Sequence, residues 1–410
     1  MFPALEHQFG SIQALQSCEQ ELQRKMRARG VFFGDGLLPT YAYAFVVSRR
    51  QIEVWARQAE TLIAAIGETT LQLVDDPGFF EEMRLEPKAL ELVRVDPGYL
   101  QPCVLCRPDG LPVEGGMKFV EVNSDSPAMM MFIDLVAQCM LELDEFAWLR
   151  PHGKPASAAD LLLESLLGCY REFGGTREPT FAITDWEGQK TKHEHAAIAA
   201  HFEARGHKTI VCDPRAFTRK DGALFVGDTR VDIVYRRALA TELVVRQDDA
   251  AALLGAYKDH EVCMVNPLRS YLGGAKSVLS HLTAQGAALI PRTVLLDNDE
   301  ARQLVASSPS RWVLKRSFGH GGAHVILPEP ANEQKWHAAL AATTHEAWIA
   351  QEYLVVPKLT VDTPAGKVEK YFNWNPFVFG GRYAGGLVRV SSSPLINITA
   401  GGGLLPTFST

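Results

Sequence analysis

No run of lysine or arginine occurs in these 410 residues, and acids outnumber bases, 48 to 41, for a formal net charge of −7. Nucleic acid is therefore not expected as a partner, since phosphodiester binding needs a positive footprint. No apolar run approaches the length of a membrane span, so no membrane partner is expected. The first residues, Met1-Phe2-Pro3-Ala4-Leu5-Glu6-His7, lack the basic and apolar stretches of an export signal, and a cytoplasmic location is the expectation. Cysteine is sparse: seven residues, an odd number, stand at positions 18, 103, 106, 139, 169, 212 and 263, which does not suggest a disulfide framework. Cys103 and Cys106 form a lone C-x-x-C beside Pro102 and Pro108, read as two thiols in a loop because no second pair completes a zinc set.

Against those absences, 47% apolar content over this length gives a globular chain with a large core, expected as two or three subdomains. The first region, residues 1–150, opens with helical spacing in Ile12 to Met26 and Ile52 to Ile66, separated by a turn at Gly34–Thr40. A break at Pro151-His152-Gly153-Lys154-Pro155 begins the second region, 151–265, where helices and short strands alternate and predict a small parallel βαβ sheet. There the loop Asp185–Gln189 follows the first strand, where open sheets bind ligands. His193, His195 and Asp213 have the chemistry of metal ligands, but the two histidines read rather as solvated residues at a helix start. Arg236 and Arg237 end the last strand, and one of them can face the crevice and grip a carboxylate, with surface solvation the competing reading. The third region runs from 266 to 410.

The richest stretch is Lys118-Phe119-Val120-Glu121-Val122-Asn123-Ser124-Asp125-Ser126-Pro127. Strand alternation puts Glu121 and Asn123 on one face, two hard oxygen donors suited to Mg²⁺ with positions left for phosphate and water. Upstream, Leu90 to Asp96 reads as a second strand presenting Arg94 and Asp96, which serve either as phosphate cation and metal ligand or as a cross-strand ion pair. In the third region the strand Trp312–Lys315 runs into Arg316-Ser317-Phe318-Gly319-His320-Gly321-Gly322. Such a turn lets backbone N–H groups approach phosphate while Lys315 neutralises charge, although a plain hairpin has the same pattern. It is neither a Walker A loop nor a dinucleotide fingerprint. Strand Trp348 to Leu354 ends in Gln351-Glu352, suited to an adenine edge and a ribose hydroxyl.

Taken in order, Arg94-x-Asp96, Glu121-x-Asn123, Lys276, Lys315 with its glycines and Gln351-Glu352 resemble the ATP-grasp ligases. More narrowly, they are similar to the circularly permuted branch of glutathionylspermidine synthetase and eukaryotic-type glutathione synthetase, because the metal strand precedes both lysines. The resemblance implies an α+β and α/β fold: a permuted ATP-grasp whose nucleotide-binding subdomains fall in 266–410, with the parallel-sheet domain beside the acceptor. It implies ATP and Mg²⁺ as cofactors, with Asp96, Glu121 and Asn123 on the metal and Arg94 facing the transferred phosphate. Lys276 and Lys315 would bind phosphates, Gly319, Gly321 and Gly322 would form a flap, and Gln351 and Glu352 would lie at adenine and ribose. Ser124, Ser126 and Arg236 would touch substrate, and Arg389 would hold the acyl phosphate or a carboxylate. Asn397 and Ala400–Gly403 resemble the closing glycine loop. The implied reaction joins an amino acid or short peptide, through its carboxylate and an acyl phosphate, to an amine; the rivals are a silent nucleotide-binding scaffold and a kinase without an amine acceptor. A homodimer is compatible with the resemblance but not specified by it. The stretch between Tyr99 and Gly116 reads as an insertion.

Overall fold

The computed structural model describes residues 9, 11–83, 87–152, 157–319, 324–329, 332–343, 345–363, 366–396 and 402–410. Its central element is a seven-stranded sheet that joins the two ends of the chain. In spatial order the strands are Phe45–Val47, Gly403–Ser409, Arg382–Ser391, Gly366–Phe379, Leu105–Val113 and Gly116–Asn123, with Lys358–Thr363 paired along Gly366–Phe379. All neighbours are antiparallel except Gly403–Ser409 with Phe45–Val47. The long helix Arg49–Leu73 covers one face with Trp55, Ala59, Leu62, Ile63 and Ile66, spaced three and four apart to bury one stripe. Trp55 packs on Trp374 of the sheet, ring centroids 5.2 Å apart.

The expected βαβ domain is present. Cys263–Val265, Ile233–Arg236, Phe181–Thr184 and Thr209–Cys212 form a four-stranded parallel sheet in that order. Phe181, Ala182 and Ile183 are wholly buried, as strands covered by helices on both faces require. A second four-stranded sheet, antiparallel, orders Thr293–Leu295, Trp348–Glu352, Trp312–Arg316 and Val325–Ile326. It has its own small core of Trp312, Leu314, Trp336 and Trp348. This lid sheet faces the edge of the central sheet that carries Glu121.

One expected strand is a helix. Residues Pro87–Arg94 are helical, with Ala89, Leu92 and Val93 buried at helical spacing and Pro87 opening the first turn. The expected insertion is a strand: Leu105–Val113 pairs with Gly116–Asn123, tolerating Pro108 and Pro112 and a register shift between Asp109 and Gly110. All seven cysteines are free.

Candidate active site

The hairpin of Leu105–Val113 with Gly116–Asn123 sets Asp109 directly across from Glu121 and Arg107 across from Asn123. Asn123 Nδ2 donates to Asp109 Oδ1 at 3.3 Å and to Arg107 O at 3.1 Å, which leaves Asn123 Oδ1 as the free acceptor. Asp109, Glu121 and Asn123 therefore offer three hard oxygens from adjacent strand positions. Such a donor set fits Mg²⁺.

Two lysines converge on this edge from different elements. Lys276 begins the helix Lys276–Ala284 and is 4% exposed. Its Nζ lies 3.0 Å from Glu121 Oε1 and donates to Gly319 O at 3.1 Å. The approach depends on small residues, since a Cβ on Gly274 would stand 3.1 Å from Ser124 Oγ. Lys315, on the lid strand Trp312–Arg316, reaches across to Val120 O at 2.9 Å and to Gln351 Oε1 at 2.6 Å. Gln351 is held in turn by Nε2 to Thr293 Oγ1 at 3.1 Å. Burial by itself would raise the Glu121 carboxyl, but Lys276 and Lys315 overcome it and hold the group at about 2. Burial lowers Lys315 to about 8 against the pull of Glu121.

Arg389 ion-pairs with Asp109, and its Nε donates to Asn373 Oδ1 at 3.4 Å. Arg107 donates from one terminal nitrogen to Ala128 O at 2.7 Å, while its buried Nε has no hydrogen-bond partner among the described residues. A cleft of about 440 Å³ contains these groups, with Val313, Leu327, Tyr353 and Leu354 at the lid end. Glu352 lines the same end and pairs with Arg311 at 3.2 Å.

Several expected positions move. The helix withdraws Arg94 and Asp96 from the face of Glu121 and Asn123: Arg94 lies over the Phe80 ring at 4.8 Å and Asp96 Oδ1 caps Gly98 N at 2.9 Å, and neither lines the cleft. Arg107 and Asp109 occupy the geometry expected of them, and sequence reasoning missed this pair. The signal was there, an Arg-x-Asp whose alternation matches Glu-x-Asn one hairpin away. Arg236 is fully buried, paired with Asp125 at 2.7 Å and donating to the carbonyls of Asn266, Ala238 and Asp125. It ties the parallel sheet to the residues after the strand Gly116–Asn123 and does not line the cleft. Ser124 Oγ is likewise occupied, donating to Ser270 O at 2.7 Å, whereas Ser126 lines the cleft and donates to Arg237 O at 2.8 Å. His195, expected to be solvated, is 2% exposed; burial and the Arg237 cation push it down to about 3. Gly319 borders the pocket beside Glu121, while Gly321, Gly322, Asn397, Ala400 and Gly401 lie outside the described residues.

No curated protein matches the chain. It is similar to the apo structure of a glutathione synthetase-like effector from Globodera pallida, at 14% identity and TM-score 0.65, covering 99% of this chain and 100% of that one. That likeness shows the fold. A macrocyclase bound with its precursor peptide, from Microcystis aeruginosa, aligns at 14% identity and TM-score 0.34, covering 55% of this chain and 90% of that one. A family model described as glutathionylspermidine synthase preATP-grasp matches residues 23–401. With the hairpin of Asp109, Glu121 and Asn123, the two lysines and the antiparallel sheet that faces them in place, the chain belongs to the glutathionylspermidine synthase preATP-grasp family and has the ATP-grasp fold.

Proposed function

We propose that the protein is an ATP-dependent ligase that joins a small carboxylate to an amine and releases ADP and phosphate. The observation that carries this reading is the convergence of Lys276 and Lys315, from a helix and from the lid sheet, on one carboxylate edge formed by Asp109, Glu121 and Asn123. An edge of this kind suits a triphosphate: cations on both sides and oxygen donors for its metal between them.

Bound there, Mg²⁺ would neutralise phosphate charge, with Asp109, Glu121 and Asn123 as its protein ligands. The chain's own part is positioning and electrostatics. Lys276 leaves Glu121, and Lys315 leaves Val120 O and Gln351, to meet phosphate oxygens. Gln351 and Glu352 sit where the ring and ribose would be read, with Val313, Leu327 and Tyr353 as apolar walls. Arg107, with Nε unpaired, faces the transferred phosphoryl group, and Arg389 holds Asp109 or an incoming carboxylate. The substrate carboxylate oxygen attacks the γ-phosphorus, ADP leaves, and the amine displaces phosphate from the acyl phosphate with loss of a proton. Water must be kept out meanwhile, which a lid able to close over the cleft would provide. No protein nucleophile is required.

The test is isotopic. A carboxylate substrate labelled with ¹⁸O should deliver one label to the released phosphate and form an amide. A stable phosphorylated product would replace the ligase with a kinase, and nucleotide binding without turnover would leave a scaffold.

A further inference from the structure

The cleft continues past the metal side chains. Outside the lid sheet it is also lined by Phe33, Ser126, Ala128, Met129, Thr191 and Leu239, none of which carries a charge. They come from four separate parts of the chain: the hairpin of Phe32–Phe33 with Gly36–Leu37, the segment after Asn123, the residue ahead of the helix Lys192–Glu203, and the turn after Ile233–Arg236.

These walls are held before any ligand arrives. Gly34 N donates to Lys190 O at 2.8 Å, and the Phe32 ring lies 5.4 Å from the ring of His193. Across from them Arg237 is buried, donates to Pro127 O and Tyr235 Oη, and through its own carbonyl fixes Ser126 Oγ. Glu194, wholly buried, accepts from Met129 N at 3.0 Å and Met131 N at 3.1 Å, which pins the start of the next helix. Arg107 stands at the boundary between this apolar end and the carboxylate edge.

We propose that this end of the cleft receives the apolar side chain of the carboxylate substrate, so that the substrate class is an amino acid or short peptide with an aliphatic or aromatic side chain. The inference rests on the ligase reading above. An apolar group gains from leaving water against Phe33, Met129 and Leu239. A polyamine would lose hydration there and meet no carboxylate among these six residues, and a side chain with its own carboxylate would lose hydration against Phe33, Met129 and Leu239 and meet cations only at the margin, Arg107 and the Lys190 Nζ 5.8 Å from the Phe33 ring centroid.

The experiment uses hydroxylamine as a generic acceptor, so that the natural amine need not be known. Hydroxamate formation with Mg²⁺ and ATP is measured for leucine, phenylalanine, glutamate, lysine and glutathione. Leucine or phenylalanine should exceed the three charged probes in kcat/KM by about tenfold or more. Phe33→Asp and Leu239→Asp should each erase that preference and move it towards lysine, with nucleotide binding retained as the sign of a folded protein. Equal or better turnover of the charged probes, or an unchanged preference in both folded variants, overturns the inference and leaves the ligase standing. Absence of hydroxamate from every probe, with nucleotide still bound, overturns the ligase reading and the inference with it.

Discussion

Replacing Glu121 with glutamine removes one charge and almost no volume, so its consequences are electrostatic. In the folded protein Lys276 and Lys315 draw this carboxyl from 4.5 down to about 2, despite its burial. At about 1.4 kcal/mol per tenfold change in proton affinity, that gap corresponds to roughly 3 kcal/mol of stability supplied by the ionised group. The side chain is 23% exposed, and solvent screening brings the figure to about 2 kcal/mol. A folded value depressed below the unfolded one gives stability that is fully present above 4.5 and lost as pH falls towards 2. Glu121→Gln should therefore unfold in urea with a free energy about 2 kcal/mol lower than the parent at pH 7. The difference should shrink below about pH 4.5 and close near pH 2. ATP without metal should restore part of it, because phosphate charge replaces the missing carboxylate beside the two lysines. Equal urea curves at pH 7, or a difference that persists unchanged in acid, would refute the view that Glu121 is the counter-charge of both lysines.

Asp109→Asn removes the partner of Arg389 and one charge from the proposed Mg²⁺ ligands. Mg²⁺-dependent ADP release should drop by about 100-fold, with the Mg²⁺ concentration for half-maximal rate raised, and a Mg²⁺ titration checks both. Arg94→Ala should leave kcat/KM within about twofold, whereas Arg107→Ala should lower it by about 100-fold; the opposite order in a kinetic comparison would return the phosphate cation to the helix. Lys315, lowered to about 8 by burial, must carry its proton to meet phosphate, so kcat/KM for ATP should fall as pH rises through 8. Lys315→Arg should lose that alkaline limb, since a guanidinium keeps its charge there. Arg236→Gln leaves Asp125 buried and unpaired, and should cost about 3–5 kcal/mol in urea unfolding rather than alter KM selectively.

The strand Gly116–Asn123 was legible because alternation is local: Glu121 and Asn123 share a face whatever the rest of the fold does. Lys276 and Lys315 were legible as residues beside glycines and at a strand end, but only the folded chain shows that Lys276 pairs with Glu121 and that Lys315 reaches the neighbouring Val120 carbonyl. The strand that carries Arg107 and Asp109 was hidden by its own chemistry. Pro108 and Pro112 have no N–H for a ladder, and the irregularity after Asp109 breaks the period of two, so the stretch reads as a loop. Leu90 to Asp96 erred the other way, since a short apolar run fits strand and helix equally until its neighbours are known. Arg236 illustrates a third limit. A strand-end arginine in the crevice of an open sheet has the sequence of a ligand group, yet here Asp125 and three carbonyls surround it.

The account turns on whether this edge activates a carboxylate at the expense of ATP. The most direct measurement is ADP release by purified protein with and without Mg²⁺, across pools of carboxylates and amines, with Lys315→Ala alongside. The account predicts release that requires Mg²⁺, a carboxylate and an amine together, and that disappears in Lys315→Ala. Release at a near-parental rate in Lys315→Ala, or release indifferent to both pools, would contradict it.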